Sequence, residues 1–79
     1  MQRIKRNKGL INFVVNNKTT CYRAFKKSIS HKGFKTEAGK QLIEAAREQL
    51  NYSPKTWSGD IYLAIWKYYK TIVIEGIEL

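Results

Sequence analysis

Leu10, Ile11, Phe13, Val14 and Val15 form a short apolar run, interrupted by Asn12 and closed by the turn formers Asn16, Asn17 and Lys18. Its β-branched and aromatic content predicts a strand. Over residues 19–25, Thr19, Cys21, Arg23 and Phe25 alternate with Thr20, Tyr22 and Ala24, the two-residue period of a second strand. With Asn16 and Asn17 as the turn between them, the pair predicts an N-terminal β-hairpin. Residues 26–35, rich in Lys and Ser and holding Gly33, predict a basic loop.

From Glu37 to Leu50 the pattern changes period. Ala38, Leu42, Ala45, Ala46, Gln49 and Leu50 recur at spacings of three and four, with Lys40, Glu44, Arg47 and Glu48 largely on the other side. Thr36 suits the N-cap, Glu37 suits the positive end of the helix dipole, Asn51 can end the helix and Pro54 prevents its continuation. The tail supports two readings. Ile, Tyr, Trp, Thr and Val crowd residues 61–74 behind the turn Ser58-Gly59-Asp60, which predicts strands over residues 61–69 and 71–77. A helix opening at Ser53, with Pro54 in its first turn, would instead align Trp57, Ile61, Ile65, Tyr68 and Ile72 on one stripe. Propensity favours strands. The expected fold is therefore a small α+β domain over residues 10–79, with an N-terminal β-hairpin, one central helix and a β-rich C-terminal segment, preceded by a basic arm at residues 1–9. The alternative is a mostly helical chain with a helix-turn-helix-like C-terminal half.

Composition narrows the class. With 79 residues the chain supports one domain, and 43% hydrophobic residues with a single Pro set it apart from disordered sequences. Cys21 is the sole cysteine, which rules out an internal disulfide and points to a reducing compartment, the cytoplasm. The apolar stretches at residues 10–15 and 61–66 are far shorter than the ~18 residues a membrane span needs. The basic start and the short core after it lack the length and cleavage site of a signal peptide.

Charge changes the picture most. Fifteen Lys and Arg face six Asp and Glu, a formal net charge of +9. Arg3, Lys5, Arg6, Lys8, Lys18, Arg23, Lys26, Lys27, Lys32 and Lys35 all precede the first acid, Glu37. The first 36 residues thus carry ten cations and no anion, whereas the remainder carries five cations and six anions. Such a segment repels itself unless a polyanion supplies the counter-charge, and nucleic acid is the natural one. Solubility alone is the bland explanation, but a merely soluble surface intersperses both signs. Adsorption to lipid would need a basic amphipathic helix, against which the Asn, Thr and β-branched residues of 11–20 argue.

Residues for bond-making chemistry are few. His31 and Cys21 could pair as base and nucleophile, yet no third group orients them. Two such ligands are too few for structural zinc, and no metal or other cofactor is expected. Glu75 and Glu78 would point to opposite faces of a strand, so a carboxylate pair for Mg²⁺ does not form. What remains is a series of cations interleaved with aromatics, Tyr22-Arg23, Phe25-Lys26-Lys27 and His31-Lys32-Gly33-Phe34-Lys35. Lysine and arginine neutralise phosphates, and aromatic planes stack unpaired bases. Phe25 and Phe34 are equally readable as core anchors, and Trp57, Trp66, Tyr62, Tyr68 and Tyr69 are assigned mainly to the core.

Asn16-Asn17-Lys18 after a strand, the basic segment ending Gly33-Phe34-Lys35-Thr36-Glu37-Ala38-Gly39-Lys40, the helix to Leu50, and Ser58-Gly59-Asp60-Ile61-Tyr62-Leu63-Ala64-Ile65 as a following strand together resemble the first half of RusA-type Holliday-junction resolvases, small phage and prophage nucleases. The family's Arg-x-Asp-x-Asp-Asn type carboxylate stretch has no counterpart here. The resemblance, over about residues 10–70, implies a DNA-binding remnant without the cleavage site, in a phage or mobile-element setting.

The sequence therefore predicts a small, non-catalytic nucleic-acid-binding protein, DNA ahead of RNA. Its candidate contacts are Arg3, Lys5, Arg6, Lys8, Lys18, Arg23, Lys26, Lys27, His31, Lys32 and Lys35. The alternative is an interaction protein that docks on an acidic host protein or complex and inhibits it. Homodimerisation through strand edges is open to both.

Overall fold

A computed structural model describes residues 7–78. It contains four helices, α1 (Lys8–Asn16), α2 (Lys18–Lys27), α3 (Glu37–Leu50) and α4 (Ser58–Tyr69). A 3₁₀ turn at His31–Lys35 joins α2 to α3, and a π-helical turn at Lys70–Ile74 extends α4. Among the described residues there is no strand, so the expected α+β fold with its hairpin and β-rich tail is overturned. Over the described residues the chain is an all-helical small domain.

The correction has a physical cause in each segment. On α1, Leu10, Phe13 and Val14 are buried, the i, i+3, i+4 set of one helical face. A strand would have sent Phe13 and Val14 to opposite sides. On α2 the buried residues are Cys21, Ala24 and Phe25. Two-residue alternation would have put Arg23 on the same side as Cys21 and Phe25, burying a cation beside two apolar groups; the helix turns it to solvent. Asn17, expected in a hairpin turn, instead ends α1 and starts α2. Its N–H reaches the carbonyl oxygens of Phe13 (2.9 Å) and Val14 (3.3 Å), and its Nδ2 donates to Phe13 O at 2.8 Å. Residues 26 and 27, expected in a loop, complete α2.

α3 begins at Thr36, whose hydroxyl accepts from Gly39 N at 2.9 Å, and ends at Asn51 in the left-handed region with φ 55°. Its inward face is Gly39, Leu42, Ile43 and Ala46, while Gln49, expected inside, is exposed. α4 starts at Ser58 and not at Ser53, and buries Ile61, Tyr62, Ile65, Tyr68 and Tyr69. Residues 58–65, a strand in the resolvase comparison above, lie in this helix. Beyond it, residues 71–77 form the π turn and an irregular end instead of a strand. The π turn keeps Thr71 buried with its hydroxyl donating to Lys67 O at 2.9 Å.

The core is one cluster in which Leu42, Ile61, Tyr62, Ile65, Val14 and Cys21 are fully enclosed. α4 touches every other element, and the 3₁₀ turn is wedged between α3 and α4. Two glycines permit that wedge. A Cβ at Gly33 would lie 2.6 Å from the Ser28 carbonyl oxygen, and one at Gly39 would collide with the carbonyl of Gly33. Backbone on both sides leaves little room to relax. Gly39→Ala is therefore expected to destabilise the fold by about 1–3 kcal/mol, on the order of 10 °C in Tm for a domain of this size. Gln41→Ala, on the exposed side of the same helix, should stay within about 0.5 kcal/mol. Thermal melts followed by circular dichroism check both.

Candidate nucleic-acid interface

Helical winding sorts α2 into an inner and an outer half. With Cys21, Ala24 and Phe25 inward, Lys18, Tyr22 and Lys26 form one outward row at i, i+4, i+8, and Thr19, Arg23 and Lys27 form a second beside it. Residues along each row lie about 6 Å apart, and the cations extend over about 13 Å of helix. Lys18, Arg23, Lys26 and Lys27 are all exposed, and α2 carries no acid. Tyr22 is 56% exposed, with the Lys26 ammonium 5.9 Å from its ring centroid. Among the described residues no lysine or arginine forms an ion pair with a carboxylate.

His31, Lys32 and Lys35 follow on the 3₁₀ turn, all exposed, with Gly33 buried between them. The turn is held to the end of α2 through Tyr62. That side chain is fully buried, and its hydroxyl donates to the carbonyl oxygens of Ala24 (2.9 Å) and Ser28. Lys8 is exposed at the start of α1, near a groove of about 220 Å³ that includes Gly9, Gln49 and Leu50. Asn17, just before Lys18, donates to Gln49 Oε1 at 3.3 Å, so Lys8 and Lys18 flank the same end of α3. Arg3, Lys5 and Arg6 lie outside the described residues. The structure thus collects four of the expected contacts on the outer half of one helix and three on the adjoining turn.

No protein-family model, curated protein or solved structure matches the chain. Its chemistry is read from the residues themselves.

Cys21 is fully buried, and burial pushes its thiol up to about 12, away from nucleophilic reactivity. His31 lies on the exposed turn, its ring 5.5 Å from that of Trp57, so the two groups do not meet as nucleophile and base. Among the described residues no group of three His, Cys, Asp or Glu side chains could hold a metal ion. No helix of the described chain is long and apolar enough to cross a membrane.

The aromatics separate into core and surface. Phe25 is core, 5.0 Å from the Tyr62 ring and 5.2 Å from that of Trp66, and does not offer a stacking face. Tyr62, Tyr68 and Tyr69 are buried and Trp66 is half-buried, as expected of core residues. Trp57, also assigned to the core, is instead 51% exposed and rests on the 3₁₀ turn. Its place just before the helix opening Ser58-Gly59-Asp60 was the available sign, because a residue at a helix entry has no obligatory inward face. Arg47, placed by its spacing largely on the side of α3 away from the apolar stripe, clamps the connection ahead of α4. Its Nη1 donates to Ser53 O (3.1 Å) and its Nη2 to Thr56 O (2.6 Å).

Tyr62 and Cys21 also couple the fold to alkaline pH. Burial, with the neighbouring thiol as a second cause, pushes the Tyr62 phenol up to about 12, from an ordinary value of 10.0. The ordinary value for the Cys21 thiol is 9.0. Both are neutral when protonated, so their contribution is complete below the unfolded values and is lost as pH rises toward the folded ones. Tm should be flat from pH 7 to about pH 9 and fall steeply from there toward pH 12. Cys21→Ala should move the onset up by about one pH unit, toward the unfolded phenol value, in melts recorded across that range.

Proposed function

We propose that this chain binds nucleic acid without altering it covalently, gripping the phosphate backbone with the outer face of α2 and the cations of the 3₁₀ turn. The observation that carries the reading is the set Arg23, Lys26 and Lys27, exposed side by side on the acid-free outer side of α2 with Lys18 exposed at its first turn, none of them with a carboxylate partner among the described residues. Like charges three and four residues apart weaken a helix by about 0.2–0.5 kcal/mol per pair. A polyanion reverses that penalty, and each phosphate neutralised releases condensed counterions, which is the main source of affinity. DNA is the ligand put first, with Arg3, Lys5 and Arg6 adding charge ahead of α1.

A second reading rests on a different observation. Beside Lys26, a largely apolar groove of about 250 Å³ is lined by Tyr22, Phe25, Ile29, Trp66, Tyr69 and Ile74, with Ile29 51% and Ile74 59% exposed. An acidic protein carrying an apolar side chain would suit it. Pull-down from nuclease-treated lysate separates the two: a partner that survives favours the docking protein, and loss of all partners favours nucleic acid.

If six to ten cations meet phosphates, duplex affinity should drop ~10³–10⁵-fold between 50 and 200 mM salt. Lys26→Glu with Lys27→Glu should weaken binding alike on all sequences and lower the log K against log salt slope by at least about two. Fluorescence anisotropy on two unrelated duplexes reads both effects. A flat salt response removes the proposal.

A further inference from the structure

Trp57 leaves 51% of its surface in water. It is nonetheless held in place. A Cβ at Gly59 would lie 2.7 Å from the indole, so the ring sits directly over that glycine. The His31 ring lies 5.5 Å away, tilted by 51°, and the Phe34 ring 5.8 Å away, edge-on at 75°. The backbone leading to it is fixed by Arg47 through Ser53 and Thr56, with Ser58 Oγ accepting from the same guanidinium at 3.3 Å. Lys55 precedes it in the chain, and the turn that braces it carries Lys32 and Lys35, all exposed.

An exposed indole, fixed by its neighbours and held by two segments that carry exposed lysines, has the chemistry of a base-stacking platform. Bases inside a duplex are already stacked and cannot reach it. We infer that Trp57, supported by His31, stacks an unpaired base, so that the preferred ligand is single-stranded nucleic acid or a duplex with unpaired nucleotides. This rests on the nucleic-acid reading above and narrows it. The platform adjoins the α2 surface, because Gly33 of the bracing turn packs against Ser28 and the Tyr62 hydroxyl at the end of α2. The end of α2 thus leads, through the turn, to His31 against the indole.

The test uses the full chain and a twelve-nucleotide oligothymidylate, with a duplex of the same length as comparison. The chain has two tryptophans, so Trp66→Phe leaves Trp57 as the only indole emitter. Saturating oligothymidylate should quench that emission strongly, and the duplex only weakly. Trp57→Ala should lower the ratio of single- to double-strand affinity roughly five- to 150-fold, the range for losing one stacked base. Trp57→Phe, which keeps a smaller ring, should restore part of the ratio, an outcome that lost helix packing alone would not produce. An unchanged ratio in Trp57→Ala, with binding still weakened by the Lys26 and Lys27 reversals, overturns the platform and leaves phosphate binding standing. Failure of the unmodified chain to bind either ligand overturns both.

Discussion

The Tyr62 hydroxyl is the contact on which the arrangement of this small domain depends. α2 ends without a glycine in the left-handed conformation, so the last carbonyls of the helix need partners from elsewhere. Tyr62 reaches from α4 and shares its one proton, inside the core, between the Ala24 carbonyl in the last turn and that of Ser28 just past the helix. A buried phenol without such partners would itself be costly, so donor and acceptors each remove the other's penalty. The position of that oxygen also fixes the 3₁₀ turn, since Gly33 must pass close to it and Gly39 must pass close to Gly33. Four elements meet through one side chain and two residues that lack one.

That junction lets a core of few residues carry an unfavourable charge distribution. α2 has four cations in ten residues, with Arg23 and Lys26 three apart and Arg23 and Lys27 four apart. Lys26 and Lys27 gain something from the negative end of the helix dipole, whereas Lys18 stands at the positive end. The acids of α3 and α4 do not relieve the repulsion, because Glu37, Glu44, Glu48 and Asp60 are exposed and make no ion pair. Stability comes from the apolar side of α2, where Cys21, Ala24 and Phe25 pack into the cluster, and from the clasp at its end. The outer face is left unbalanced.

How much of this the sequence discloses depends on how each segment resolves the choice between two and 3.6 residues per period. α3 was legible because helix-forming residues, a threonine cap and an asparagine stop agree with its stripe. α1 and α2 were not, since five apolar residues in a six-residue stretch, and an alternation of mixed residues after it, suit either period, and β-branched residues tilted the choice toward strand. Arg23 held the deciding information: only helical winding keeps it out of the core while Cys21 and Phe25 are in it. In α4 the spacing of Ile61, Ile65, Tyr68 and Ile72 outweighed the propensity of the individual residues. The cations were legible as composition, but their sharing of a face was not, because that is a property of the helix. Trp57 escaped for the opposite reason, since tryptophans are ordinarily placed inside on size alone.

On the proposed reading, the same geometry bears on what kind of recognition is available. Besides its cations, the outer face of α2 has Thr19 and Tyr22 and no Asn, Gln, Asp or Glu. The side chains that pair bidentately with adenine, or accept from cytosine, are therefore missing from the one helix that faces outward with positive charge. Arg23 alone could address a guanine edge, and it stands between lysines whose long, flexible stems suit point contacts with phosphate. The indole of Trp57 adds stacking, which every base can satisfy. Backbone charge and stacking discriminate by strandedness and flexibility, so a nucleic acid held in the proposed way would be distinguished by its physical state and little by its sequence.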